Sequence, residues 1–363
     1  MRRLLPAWLG APRLDLPLLL GLLLLMAAGL AVLYSATGED LGMVLKQAVR
    51  LGFGLAVMLV ISQVPPHVLR LWTPWLYGFG LLLVVATLFL GVGKGAQRWL
   101  DLGVLRFQPS EIMKLSVPMM VAWYLHPRVL PPGFKDALLA GLIMLVPALL
   151  IVRQPDLGTA LLVAVSGCFT LFLAGLSWRW ILGLAGLGIT AAPIAWVFMR
   201  EYQRDRVRTF LNPEADPLGD GWNIIQSKIA VGSGGLLGKG WLHGTQSHLE
   251  FIPERHTDFI LAVFAEELGL LGVLALFGLY LFLIGRGLHI AGEARDTWSR
   301  LVAGSLALTL FVYVLVNGGM VSGVLPVVGV PLPLISYGGT SAVTLLAGFG
   351  IMMSVYGHRN LIR

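Results

Sequence analysis

The chain has one cysteine and few charges: 26 Lys and Arg plus 19 Asp and Glu among 363 residues, or 12 %. One thiol builds neither a disulfide framework nor a thiolate metal cluster. Cys168 lies inside an apolar run and reads as a small buried thiol. Soluble domains carry about 25 % charged residues. The shortage here comes with 57 % hydrophobic residues, 45 Gly and a mean hydropathy of +0.82, so polar surface is too scarce to cover a soluble globule. Disordered chain, coiled coil and cytosolic enzyme are excluded. Neither a repeat of about 20–50 residues nor a transporter-like inverted repeat is visible. The formal net charge of +7 is spread over short loops without a basic stripe interleaved by aromatics. That pattern points to membrane lipid as partner and not to nucleic acid.

What is present is an all-α polytopic membrane protein. At about 20 apolar residues per span, ten spans fit, near 14–36, 43–63, 71–91, 109–126, 134–152, 157–175, 178–199, 257–285, 298–321 and 334–357. The first is too long for a signal-peptide core and reads as a retained helix. The whole of 1–363 is then one membrane domain, with one large loop, 200–256, between the seventh and eighth spans. An even count puts both termini on one side. That side holds 12 Lys and Arg, the opposite short loops and helix ends hold 7, and the long loop adds 7 more. The positive-inside rule therefore gives cytoplasmic termini without the long loop and tips slightly the other way with it.

The side opposite the termini is chemically richer. It carries 92–110, the turn Gln154 to Thr159, loop 200–256 and the Pro/Gly-rich stretch 322–333. Pro109-Ser110-Glu111-Ile112-Met113-Lys114 opens the fourth span as a helix start. Glu111 and Lys114 share a face three residues apart. A lone charge near mid-membrane costs at least about 2.5–3.5 kcal/mol, so the two are expected to pair. They either dock helices or present Lys114 to an anionic group. Arg98 beside Trp99, and Arg106 beside Phe107, are interfacial anchors or a fork for a diphosphate. Arg206 and Arg208 add two cations in the long loop, on what is otherwise a solvated charged face.

The segment Phe251 to Phe259 runs straight into the eighth span. Thr257 as N-cap would put Asp258 in the first turn, where a carboxylate complements the helix dipole. At about 100° per residue, Ala262, Ala265, Gly269 and Gly272 would fall below Asp258 as a small-residue stripe. A carboxylate above such a stripe suits either close helix packing or action on a lipid-linked headgroup. His256 ranks second as a base because it points away from Asp258 on a continuing helix. Glu266 and Glu267 read as paired structural residues. His243 and His248 lack zinc-ligand spacing. The glycines of 220–246 lack a Walker lysine and the strand–helix context of a nucleotide loop. Ile224 to Val231 with Trp222 is expected to form an amphipathic helix on the membrane. The apolar, non-helical stretch after the ninth span is tolerated at membrane depth only where protein covers it or it lines a cavity.

Gly95 to Leu100, Pro109 to Lys114, Gln154 to Thr159, Pro253 to Phe259 and Pro331 to Ser341 together resemble the SEDS family (shape, elongation, division, sporulation) across nearly the whole chain. Arg255 in the Glu-Arg-His-Thr-Asp string looks like the elongation branch, the RodA type, more than the division branch. The resemblance implies ten spans with cytoplasmic termini in a bacterial inner membrane. It implies polymerisation of lipid II on the outer face, with inversion and release of undecaprenyl diphosphate. Asp258 matches the family's essential aspartate and would be the base. Lys114, Arg106, Arg98, Arg206 and Arg208 are the candidate diphosphate cations, with Glu111, Asp156, Trp99 and His256 in support. A divalent cation, Mg or Mn, would be compatible with a diphosphate, although no compact carboxylate cluster demands one. The implied partner is a class B penicillin-binding protein, with a docking face expected on the eighth and ninth spans, near Ala303 and Gly304. Two other functions compete: a lipid II flippase and a non-catalytic scaffold of the elongation machinery.

Overall fold

The computed structural model describes residues 14–358 except 93–97, 102–105, 217–218, 246–253 and most of 178–200. The described chain is an all-α bundle. Its helices are α1 (Leu16–Ala36), α2 (Leu41–Gln63), α3 (Pro66–Leu90), α4 (Ser110–Leu125), α5 (Phe134–Arg153), α6 (Leu157–Leu173), α7 (Glu201–Leu211), α8 (Asp220–Ser233), α9 (Ile260–Glu293), α10 (Thr297–Val321) and α11 (Thr340–His358). A two-residue antiparallel pair, β1 (Leu100–Asp101) with β2 (Arg106–Phe107), closes the turn before α4. Seven helices are long and apolar enough to cross a membrane: α1, α2, α3, α5, α9, α10 and α11. The apolar α6 is shorter, and α4 has 16 residues with two charges in its first turns. The expected span 178–199 lies mostly outside the described residues.

Aspartates start several of these helices. Asp15 accepts from the Leu18 N–H at 2.8 Å, Asp40 from Gly42 and Met43, and Asp296 from Ser299. Each satisfies donors that a helix start leaves unpaired. Two sets of contacts then separate the ends of the bundle. At the terminal end, Arg286 of α9 meets Asp15 at 2.5 Å, and Ser354 of α11 donates to the Val64 carbonyl after α2. At the other end, Ser35 donates to Glu267, Gln47 to the Ser336 carbonyl and Gln154 to Val84. Glycine sets the closeness of the α2–α11 pair. A Cβ at Gly54 would lie 2.6 Å from Leu346, and one at Gly350 would lie 2.7 Å from the Met58 carbonyl.

The eighth span departs from expectation at both of its features. It starts at Ile260, not at 257, and it is not one straight helix: Gly269 takes φ 65° and ψ −168° inside α9. The stripe drawn by regular periodicity from Asp258 to Gly272 therefore does not exist. The Gly-rich loop after α8 fills the break. Lys239 and Gly240 N–H groups donate to the Glu266 and Glu267 carbonyls, while Leu270 and Leu271 donate back to Gly235 and Leu236. Backbones this close exclude side chains: a Cβ at Gly234 would meet the Ala265 carbonyl at 2.1 Å. Close approach, not ligand binding, explains those glycines. Glu266 pairs with Lys239 at 2.7 Å and accepts from Thr245, so both glutamates are held as structural residues.

The expected docking residues need correction. Ala303 is fully buried, and a Cβ at Gly304 would lie 2.7 Å from Leu173 of α6. Both face the bundle interior. The exposed faces of α9 and α10 lie elsewhere, around an apolar cavity of about 420 Å³ lined by Val273, Phe277, Leu281, Phe311, Leu315 and Gly318.

Candidate active site

The separate polar segments of the sequence converge on the connection between α10 and α11. Its Gly329 has φ +72° and lies against Asp258: a Cβ there would sit 3.6 Å from the aspartate Oδ2. Val328, one residue earlier, lies against the start of α6, where a Cβ at Gly158 would meet its carbonyl at 2.5 Å. Gly329 and Gly158 thus let the connection pass between the Asp258 segment and the Gln154–Thr159 turn.

Asp258 itself lies in a turn that ends before α9, and this corrects the expected cap. Thr257 does not cap the helix. Its hydroxyl donates to Glu254 Oε2 at 2.6 Å, and its N–H to the Glu254 carbonyl. Phe259 takes the N-cap position without a side-chain hydrogen bond. Asp258 is half-buried, and its main-chain carbonyl accepts from Asn317 Nδ2 at 2.9 Å. Asn317 is fully buried on α10, and the same amide donates to the Val330 carbonyl at 2.8 Å. One side chain therefore fixes both the Asp258 backbone and the connection beside it. Nothing in the sequence marked Asn317, because a lone amide in an apolar run has no motif.

Lys114, on α4, borders the same connection through Tyr313. It is buried, 2.7 Å from Glu111 and 5.3 Å from the Tyr313 ring centre. Tyr313 packs with Val330 and Leu162 in one cluster. A cavity of about 30 Å³, room for a water, lies between Lys114, Thr309, Tyr313 and Thr344. Removing one member of a buried ion pair strands the other and costs about 3–5 kcal/mol. Glu111→Leu is therefore expected to lower the thermal unfolding midpoint in detergent well below wild type. Glu111→Leu/Lys114→Leu should recover much of that loss, since no charge is left unpaired.

Asp156 is held on both oxygens. Oδ1 accepts from the Thr159 N–H at 3.1 Å as the α6 N-cap, and Oδ2 accepts from Gln108 at 2.9 Å. Arg98 donates to the Pro155 carbonyl, so its guanidinium braces this turn. Trp99 is half-buried and pairs through its backbone with Val92. Arg106 lies on β2, and its side chain is outside the described residues. His256 is half-buried and edge-on to Tyr337, whose N–H donates to the His256 carbonyl at 2.9 Å.

The two loop arginines lie on α7. Arg208 is exposed and pairs on α7 with Asp205 at 3.1 Å and Glu201 at 3.5 Å. Arg206 is half-buried on the same helix. Among the described residues, no hydrogen bond or ion pair joins either one to Asp258, Lys114 or Asp156. The helical start of loop 200–256 carries them on α7, which packs against α8 and the 3-10 turn Pro213–Ala215. The described residues also contain no group of three His, Cys, Asp or Glu able to hold a metal ion.

Comparison with known proteins agrees along almost the full length. The sequence profile of the FtsW/RodA/SpoVE cell cycle proteins matches residues 11–361. The peptidoglycan glycosyltransferase MrdB of Escherichia coli (strain K12) is 56 % identical over 352 residues, covering 96 % of this chain and 95 % of that protein. RodA of Treponema pallidum (strain Nichols), also a peptidoglycan glycosyltransferase, is 33 % identical over 425 residues, covering 95 % of this chain and 98 % of that protein. Among solved structures, a chain of a peptidoglycan synthase complex that coordinates polymerisation and crosslinking superposes with a TM-score of 0.85 at 34 % identity, over 97 % of this chain and 99 % of that one. The rod shape determining protein RodA of Thermus thermophilus superposes with a TM-score of 0.74 at 31 % identity, over 98 % of this chain and 99 % of that one. Motifs, fold and near-complete coverage point one way: this chain belongs to the FtsW/RodA/SpoVE family of cell cycle proteins.

Proposed function

We propose that the chain is a peptidoglycan glycosyltransferase that polymerises lipid II on the outer face of the cytoplasmic membrane, with both termini in the cytoplasm. The observation that carries this reading is Asp258, a half-buried carboxylate fixed by its own carbonyl to Asn317 and set beside the bare backbone of Gly329. The names of the relatives, MrdB and RodA, support the reaction class.

In this reading the acceptor 4-hydroxyl attacks the anomeric carbon of the lipid-linked donor. The C–O bond to the diphosphate breaks with inversion, and the hydroxyl proton passes to Asp258. Undecaprenyl diphosphate leaves with the bonding pair. General-base removal of that proton contributes typically about 10²–10⁴-fold. The leaving charge requires fixed cations, and Lys114 and Arg106 are the candidates for that role. Arg98 and Asp156 hold the neighbouring turn. Arg206 and Arg208 would take part only through the approach of the substrate along α7. A divalent cation, Mg or Mn, stays compatible with this reading, because a diphosphate supplies oxygen ligands of its own and one or two carboxylates suffice beside it. No step here runs through one.

The transpeptidase partner, a class B penicillin-binding protein, would pack on the exposed apolar faces of α9 and α10. The likeness to a synthase complex supports a partner of that kind.

The test is synthesis of glycan strands from lipid II by the purified protein with its penicillin-binding partner present. Strands are expected. Translocation of lipid II across vesicles without strands would favour transport, and neither activity would favour the scaffold. Asn317→Leu removes the amide that holds Asp258 and Val330. It should cut strand synthesis by about 10–100-fold, the usual cost of a misplaced catalytic group, in protein that still elutes as a single species.

A further inference from the structure

The family motifs leave out a cation that the fold carries to the same site. Arg50 lies nine residues inside α2, about 14 Å from its start at 1.5 Å per residue, within a helix apolar enough to span. Lys114, Arg128, Lys239 and Arg286 each have a carboxylate within 2.7 Å. Arg50 has none among the described residues. Its half-buried guanidinium instead lies 4.7 Å from the centre of the Tyr337 ring. An unpaired cation at this depth is costly and marks function by default.

Packing explains where it points. Gln47, Leu51, Gly54 and Met58 are the buried stripe of α2, and Gly54 presses that stripe onto α11. Gln47 exchanges hydrogen bonds with Ser336 and Gly338 at the start of α11. Arg50, three residues on, shares the Gln47 face and so arrives at Tyr337 and Gly339. A Cβ at Gly339 would lie 3.4 Å from its Nε, whereas one at Gly338 would meet nothing within 4 Å. The guanidinium therefore borders open space floored by two glycines. Across Tyr337 stands His256, two residues before Asp258.

The geometry points to Arg50 as a phosphate-binding residue of the active site, with Tyr337 orienting its planar fork towards a phosphoryl group of the lipid-linked substrate. A guanidinium suits this task because it offers two parallel donors to phosphate oxygens and stacks on an aromatic face. Glycines at 338 and 339 leave room for a bulky anion. The choice of a lipid diphosphate rests on the proposed function, but the binding site does not depend on which residue is the base.

The test uses binding without turnover. Full-length protein in nanodiscs is titrated with undecaprenyl diphosphate and, separately, with neutral undecaprenol. Wild type should prefer the diphosphate. Arg50→Gln should bind it at least about tenfold more weakly, as expected for lost charge-assisted hydrogen bonds, with undecaprenol unchanged. A purely structural role would weaken both lipids alike. Arg50→Lys keeps the charge and loses the fork, and it should fall about three- to tenfold below wild type. Asp258→Asn should still bind the diphosphate, which separates this inference from the identity of the base. Equal diphosphate binding by wild type and either Arg50 variant overturns the assignment, as does parallel loss of both lipids. Binding of free pyrophosphate as tight as that of the lipid diphosphate would overturn the lipid-linked source.

Discussion

Asp258→Asn is expected to lower glycan-strand synthesis from lipid II by about 10²–10⁴-fold, the range that a general base supplies. The substitution is nearly isosteric. The Asn317 contact is made to the Asp258 main-chain carbonyl, so the turn Glu254–Phe259 and the connection beside Gly329 should keep their places. The variant should therefore purify in normal yield and still bind undecaprenyl diphosphate. Strand synthesis is compared for wild type and variant, each with the penicillin-binding partner present. Loss of strands with binding intact assigns the proton transfer to Asp258. Strand synthesis within about threefold of wild type would demote Asp258 to an electrostatic or structural role and move attention to His256.

Gly269→Ala carries the largest expected effect on the fold. Gly269 has φ 65° and ψ −168°, a region essentially restricted to glycine and costing a side-chain residue about 1–3 kcal/mol. Space is also missing. A Cβ there would lie 2.3 Å from the Gly238 nitrogen and 2.6 Å from the Leu236 carbonyl. These are backbone atoms that cannot rotate away. The variant is expected to lose the seat of the Gly-rich loop, release Lys239 from Glu266 and fail to give a monodisperse species on size exclusion. Gly278→Ala, at a helical position of α9 with open space, serves as the control and should behave as wild type. A well-folded Gly269→Ala protein with wild-type thermal stability would show that the break in α9 is not required.

These two positions show where linear reading stops. Periodicity placed Asp258 and Gly269 on one helix, since Ile260 to Ala265 are apolar and no proline separates Asp258 from Gly269. What breaks the helix is the upstream loop 234–240, and a regular helix repeat carries no trace of it. Thr257 likewise had the chemistry of a cap, but Glu254 captured its hydroxyl. Arg208 looked as available as Arg98 until α7 formed and gave it Asp205 and Glu201. Arg50 and Asn317 were invisible for the opposite reason. Asn317 is a single polar residue in an apolar run and Arg50 follows Lys46 and Gln47 in a helix apolar enough to span, so only the facing helix decides whether either is a packing defect or a contact.

The sequence by itself determined the membrane-spanning all-α class, since hydrophobic run length and charge scarcity depend only on composition along the chain. It also determined which segments are polar at one end of the bundle, and the Glu111–Lys114 pair, because a three-residue helical spacing is local. The tertiary structure decided that the Gln154–Thr159 turn, the turn holding Asp258 and the connection 322–333 pack against one another, with Lys114 bordering them through Tyr313. It decided too which cations have carboxylate partners and where α9 must bend. Those outcomes depend on which backbones approach one another closely enough to exclude a Cβ and satisfy each other's hydrogen bonds, and that is a property of pairs of segments far apart in the chain.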